Sequence, residues 1–211
     1  MKYLIKELID GGILKTSSLV EAFEKVDRKD FVPEELKDKS YLNTPLPIGF
    51  GQTISQPLTV AFMLELLQPQ PGDKILEIGS GSGWQTALLA SVVGGPPFEG
   101  GNVFAIELIP ELMAFGMKNV AKYGFIKRKI VEFHSLNAIN GLPEKSPFDR
   151  IISAASGKEL PKAWKEQIKV GGRIVAPIKN AIHLLVKKTE TEFEETIYHG
   201  FAFVPLIGLS E

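Results

Sequence analysis

Lys74-Ile75-Leu76-Glu77-Ile78-Gly79-Ser80-Gly81-Ser82-Gly83 decides how this chain folds. An apolar run carrying one acid ends in three glycines separated by single residues. Glycines at that spacing let the backbone turn sharply and come close to a ligand that side chains would block. The spacing predicts a strand over Lys74–Ile78 and a helix over Gly83–Val93, whose free N–H groups would face that ligand. A strand, tight loop and helix in this order mark a ligand site at the carboxyl end of a parallel sheet.

Outward from this stretch, apolar strands and helical patterns alternate. Strand 102–106 precedes helix 110–123, strand 129–133 is followed by a loop, and strand 150–153 precedes a short helix from about Leu160. Gly171-Gly172 leads into strand 173–177. This alternation predicts a doubly wound α/β fold, a mostly parallel sheet with helices on both faces. Ala181–Lys188 and Glu194–Phe203 read as strands joined too closely to be parallel, which predicts a C-terminal antiparallel hairpin. Upstream, Tyr3, Leu4, Leu8 and Ile9 recur at helical spacing until Gly11-Gly12. Ser18-Leu19-Val20-Glu21 reads as a capping box opening a second helix to about Val26. The Pro- and Gly-rich segment Tyr41–Pro57 is expected to be an ordered loop, followed by helix 58–67. Val93-Gly94-Gly95-Pro96-Pro97-Phe98-Glu99-Gly100-Gly101 reads as a surface turn. We read residues 1–211 as one domain, with N-terminal helices and a covering loop over 1–57 and the α/β core over 58–211.

Composition narrows the function classes. The chain has 211 residues, a net charge of −1 and no cysteine. There is no global basic field for nucleic acid, and thiolate catalysis, disulfides and cysteine metal sites are excluded. His134, His183 and His199 are too scattered for a metal-ligand pattern, so no metal is expected. No apolar run approaches a membrane span, and Met1–Asp10 carries four charged residues unlike a signal peptide. A cytoplasmic protein is the expectation.

The spacing Glu77-x-Gly79-x-Gly81-x-Gly83 resembles the S-adenosylmethionine loop of class I methyltransferases. On that reading the loop takes the cofactor's amino-acid end, backbone N–H groups suit its carboxylate, and Glu77 supports its ammonium directly or through water. Glu107, ending the next strand, can accept both ribose hydroxyls. The plain alternatives are a strand-end acid for Glu77 and a helix-capping charge for Glu107. A dinucleotide would also take an acid on its ribose. Against it stand Gly-x-Gly-x-Gly in place of Gly-x-Gly-x-x-Gly and the lack of chain for a second, substrate-bearing domain.

A longer resemblance is more specific. Pro45-Leu46-Pro47-Ile48-Gly49-Phe50-Gly51-Gln52-Thr53-Ile54-Ser55-Gln56-Pro57 is similar to the signature loop of the protein-L-isoaspartate O-methyltransferase family. Phe31-Val32-Pro33-Glu34, Ile109-Pro110-Glu111-Leu112, Gly141-Leu142-Pro143, Pro147-Phe148-Asp149, Gly171-Gly172-Arg173 and Phe203-Val204-Pro205-Leu206 also resemble that family, in the same order along nearly the whole chain. The resemblance implies methyl transfer from S-adenosyl-L-methionine, leaving S-adenosyl-L-homocysteine, to the free α-carboxylate of L-isoaspartyl residues in damaged proteins and peptides. The ester then closes to a succinimide, which hydrolyses partly to aspartate.

The resemblance also implies the site. The catalytic serine falls on Ser55. Cofactor contacts fall on Gln52, Thr53, Ile54, Glu77, Gly79, Ser80, Gly81, Gly83, Glu107, Leu108, Asn137 and Ala138. Substrate contacts fall on Thr53, Ser55, Gln56, Ala154, Ala155, Val204, Pro205 and Leu206. Two departures stand out. Asn137-Ala138 occupies the place where the family commonly has Asp-Gly, although the Asn137 carbonyl can still accept from an adenine amino group. Ile207 stands where many members have a hydroxyl residue. A carboxylate acceptor is already ionised at neutral pH, so orientation can carry much of the rate without a strong base. A methyltransferase for another acceptor, and a cofactor-binding relic without turnover, remain as alternatives.

Overall fold

A computed structural model describes residues 1–95 and 100–206. Pro96–Glu99 of the expected surface turn and Ile207 lie outside the described residues. Two helices, α1 (Lys2–Asp10) and α2 (Ser17–Lys25), precede two short 3-10 turns over Arg28–Phe31 and Glu34–Lys39. Strands β1 (Leu46–Gly49) and β2 (Gln52–Ile54) come next, then α3 (Pro57–Leu67), β3 (Lys74–Ile78), α4 (Trp84–Val93) and β4 (Asn102–Glu107). The chain continues through α5 (Pro110–Ala121), β5 (Val131–Ser135), β6 (Phe148–Ser153), α6 (Lys162–Gln167), β7 (Ile168–Ile178), β8 (Ala181–Lys187) and β9 (Phe193–His199).

The main sheet has seven strands in the order β5-β4-β3-β6-β7-β8-β9. The first five are parallel, and β8 and β9 run antiparallel to their neighbours. Only Lys179 and Asn180 link β7 to β8, so β8 must lie beside β7. Alternation along the strands builds two cores. Ile75, Val103, Val131, Ile152 and Val175 pack toward α1–α5. Leu76, Ile78, Phe104, Ile151 and Ile174 pack on the other face with Trp164 of α6. The direction of winding reverses at β3, with β4 on one side and β6 on the other, so the crevice for a ligand opens at the carboxyl ends of these strands.

Several local expectations change. The helix α2 begins at Ser17, with no side-chain cap from its own residues. Glu65 of α3 supplies the acceptors instead, taking the N–H groups of Lys15 and Thr16 at 2.7 Å each and the Thr16 hydroxyl at 2.8 Å. A carboxylate from a packed neighbour displaces the local capping box because it satisfies more donors at once. Within Tyr41–Pro57, β1 and β2 form an antiparallel hairpin. Its reversal places Gly49, Phe50 and Gly51 all at positive φ, 91°, 54° and 70°, which is why a Gly-rich sequence hides a strand pair. The strand β7 runs through Gly171-Gly172 with a register shift against β6. The last strand stops at His199, and residues 203–206 form no part of it.

Candidate active site

A cavity of about 370 Å³ opens at the carboxyl ends of β3, β4 and β6, within the roughly 300–1,000 Å³ range of small-molecule sites. It gathers residues far apart in sequence. The hairpin contributes Ile48, Gln52, Thr53 and Ile54, and the chain running into α3 adds Ser55 and Gln56. The glycine loop contributes Gly79, Ser80 and Gly81, the end of β4 gives Glu107 and Leu108, and the turn after β5 gives Asn137 and Ala138. Ala154 and Ala155 follow β6, and Val204, Pro205 and Leu206 continue the wall beside them. That wall is held by backbone pairing beside Ser156, whose N–H donates to Val204 O and whose carbonyl accepts from Leu206 N–H, both at 2.8 Å. Of the residues expected from sequence, Glu77 and Gly83 do not line the cavity.

The glycine loop does a different job from the one its composition suggests. Gly79, Gly81 and Gly83 all have positive φ, at 78°, 50° and 82°. Their N–H groups, however, are already paired inside the protein. Gly79 and Ser80 donate to Ile106 O, Gly83 donates to Ser80 O, and Gly81 donates to Glu107 Oε2 at 2.9 Å. Among the described residues, the N–H groups without a partner at this helix start are those of Ser82, Gln85 and Thr86. Ser82 and Gln85 line the cavity, so the N–H groups left open to an anion flank the start of α4, one before its N-cap Gly83 and one within its first turn. The buried Ser80 hydroxyl on the wall also has no partner.

Glu107 is 7% exposed and holds two elements at once. Oε2 accepts from Gly81 N–H, and Oε1 accepts at 3.0 Å from the N–H of Ile109, the residue that opens α5. Each oxygen retains a lone pair, so the helix-capping role leaves Glu107 able to accept from a ligand hydroxyl as well.

Glu77 alternates with Ile78 and points to the α4 side of the sheet, where it is fully buried. Gln85 donates to Oε1 at 3.1 Å, while Oε2 has no partner. Burial, reinforced by repulsion from Glu107, pushes its carboxyl up from 4.5 to about 7. A carboxyl raised by folding stabilises the fold below its unfolded pKa, and that contribution is lost as pH rises through the folded value. The unliganded protein is therefore expected to lose on the order of 3 kcal/mol between pH 4.5 and 7 from this group. Thermal melts of wild type and Glu77→Gln across pH 4–8 check this. A Tm difference between the two that stays flat with pH would refute it.

The remaining candidates divide. Among the described residues the Ser55 hydroxyl makes no hydrogen bond, so it does not satisfy a local turn, while the Ser55 carbonyl accepts from Arg28 at 3.1 Å. Gln56 is occupied, its amide donating to Asn43 O and its carbonyl accepting from the Thr59 hydroxyl. Asn137 already caps the 3-10 turn over Ala138–Asn140, its Oδ1 accepting from Ile139 N–H at 3.0 Å, which leaves one lone pair on that oxygen. Trp84 is buried against Phe23, edge to face at 5.5 Å, and also forms part of the wall. His183 pairs with Glu195 on β9, away from this cavity.

Two contributors escaped the sequence reading. Arg28 is fully buried beneath the hairpin, and nothing in its spacing distinguishes it. Gly116 sits within α5, where a Cβ would stand 2.8 Å from Gly81 O. A glycine inside an otherwise regular helix was its legible signal, since it costs roughly 0.5–1 kcal/mol against alanine. No cluster of metal-ligating side chains occurs among the described residues. No helix among them is long and apolar enough to cross a membrane.

The whole chain, residues 1–211, matches the family model described as Protein-L-isoaspartate(D-aspartate) O-methyltransferase. A protein-L-isoaspartate O-methyltransferase of Methanopyrus kandleri is 41% identical over 97% of this chain and 90% of its own length. One of Staphylothermus marinus is 43% identical over 93% of this chain and 89% of its own length. The fold is similar to a crystal structure from Plasmodium falciparum described as a protein-L-isoaspartate O-methyltransferase in complex with S-adenosyl-L-homocysteine. That similarity has a TM-score of 0.86 and 25% identity, and covers 97% of each chain.

Proposed function

Because this chain belongs to the protein-L-isoaspartate(D-aspartate) O-methyltransferase family, we propose that its cavity joins S-adenosyl-L-methionine to the free α-carboxylate of an L-isoaspartyl residue in a damaged protein or peptide. One observation carries this reading. A single cavity brings the hairpin and Ser55 together with the glycine loop, Glu107 and Ala154-Ala155.

The donor set fits the cofactor. Glu107 has free lone pairs for the ribose hydroxyls, and the unpaired N–H groups of Ser82 and Gln85 suit the amino-acid carboxylate. Leu108 and Ala138 offer apolar contact to the adenine, and Asn137 offers an acceptor beside them. Glu77 lies behind the loop, so its influence on the ammonium is through field or water. When bound, S-adenosyl-L-methionine supplies an electrophilic methyl group. The acceptor carboxylate, ionised near neutral pH, brings its own electron pair.

The protein's task is then to orient the acceptor and exclude water. The Ser55 hydroxyl donates to one carboxylate oxygen and turns the other toward the methyl group. Thr53 and Gln56 border the acceptor, and the small side chains of Ala154 and Ala155 leave room for a peptide backbone. Val204-Pro205-Leu206 continues the wall of the peptide groove beside them. With a net charge of −1, nucleic acid is not a partner in this reading, and the reaction belongs in the cytoplasm.

The test is transfer of labelled methyl to two peptides differing only in isoaspartate against aspartate. Base-labile label is expected on the isoaspartyl peptide alone. Ser55→Ala is expected to lower kcat/KM about 10- to 100-fold with cofactor affinity within about threefold, since the hydrogen bond it removes is to the acceptor. Equal labelling of both peptides would overturn the substrate assignment.

A further inference from the structure

Arg28 opens the short 3-10 turn at Arg28–Phe31, yet its side chain is fully buried. Among the described residues it has no carboxylate partner. Its guanidinium is instead committed to four backbone carbonyls. Nη1 donates to Ser40 O at 2.7 Å and Leu42 O at 3.2 Å, and Nη2 donates to Thr44 O at 3.0 Å and Ser55 O at 3.1 Å. The same group lies over the Trp84 ring, 5.3 Å from its centroid, and Trp84 opens the helix that follows the glycine loop.

These carbonyls are not scattered. Ser40, Leu42 and Thr44 form the chain entering the β1–β2 hairpin, and Ser55 is the first residue leaving it. A single planar fork therefore clamps both ends of the segment that covers the cavity. Burial of an unpaired cation is unfavourable and lowers the pKa to about 10, which still leaves it charged near neutral pH. Such a group is retained where a rigid array of donors is needed. An ammonium cannot replace it, because three protons on one nitrogen cannot span carbonyls reached from two separate nitrogens.

We propose that Arg28 is the positioning residue of the acceptor site: its guanidinium fixes the Ser55 backbone to the base of the hairpin and to Trp84, and thereby sets where the Ser55 hydroxyl stands over the cavity. This rests on the assignment of Ser55 to the acceptor carboxylate.

The experiment compares wild type, Arg28→Lys, Ser55→Ala and the double variant. It measures kcat and KM with an isoaspartyl peptide, cofactor Kd by calorimetry, and the folded fraction by circular dichroism. Arg28→Lys is expected to lower kcat about tenfold or more while cofactor Kd moves less than about fivefold. In the Ser55→Ala background the same change is expected to alter kcat less than about twofold, because residues that act as a unit are not additive. Equal losses in both backgrounds, or an unchanged kcat in Arg28→Lys, would overturn the proposal. Wild-type activity in Ser55→Ala would instead sink the assignment of Ser55, a result visible without any Arg28 variant. If the lysine form does not fold, Arg28→Gln, which removes the buried cation and ends short of the carbonyls that Nη1 and Nη2 reach, replaces it in the same cycle.

Discussion

Glu107→Ala is expected to raise the Kd for S-adenosyl-L-methionine by at least about 100-fold. The carboxylate accepts from Gly81 N–H and Ile109 N–H, so its removal strands two donors and, on the proposed reading of the site, also takes away the acceptors for the ribose. Hydrogen bonds to a charged group contribute about 1.5–3 kcal/mol each, and a buried donor left unpaired costs about 1–3 kcal/mol. Removing two such hydrogen bonds to the ligand is enough to give the expected factor. The loop and the start of α5 also loosen, so Tm should fall in the unliganded protein. Glu107→Gln should be intermediate in both readouts, because its amide retains one acceptor and turns an N–H toward the second backbone donor. Calorimetry and thermal melts on the three proteins decide the matter. Binding by Glu107→Ala within tenfold of wild type would remove Glu107 from the ribose.

Gly83→Ala is expected to destabilise the fold by about 3 kcal/mol, lowering Tm by roughly 10 °C. Gly83 has φ +82°, and an added Cβ would stand 2.8 Å from Val120 Cγ2 and 2.9 Å from Gly116 O. A backbone oxygen cannot rotate away as a side-chain end does, so α4 and α5 would have to separate. Gly116→Ala meets the same interface from the other side, at Gly81 O, and should cost a similar amount. Gly12→Ala is the control. It has φ +67° but nothing within 4 Å of the new Cβ, so it isolates the conformational cost of about 1–2 kcal/mol. Melts that rank Gly12→Ala level with Gly83→Ala would show that close approach contributes nothing.

Much of the fold was legible because it is encoded locally. The strand-loop-helix at Lys74–Val93 appears where periodicity and turn residues put it, and the alternation that follows and the terminal antiparallel strands are present with shifted ends. Family membership also sets aside the dinucleotide reading. The hairpin at Leu46–Ile54 was not legible, because its reversal uses two glycines and a phenylalanine at positive φ where propensity indicates only a loop. The capping box at Ser18–Glu21 gave way to Glu65, a partner that sequence distance conceals.

By itself, the sequence determined the α/β class, the place of the glycine loop and the acid ending β4, and its likeness to a family signature marked the Gln52–Gln56 segment. These follow from dihedral preference, periodicity and motif, which neighbouring residues carry between them. Only the tertiary structure decided how the polar groups are used. It paired the N–H groups of Gly79, Gly81 and Gly83 internally, left those of Ser82 and Gln85 free, turned Glu77 toward α4 and gathered four carbonyls around Arg28. A donor's partner is fixed by which atoms packing brings within hydrogen-bond reach, and those atoms come from segments that only the folded chain makes neighbours.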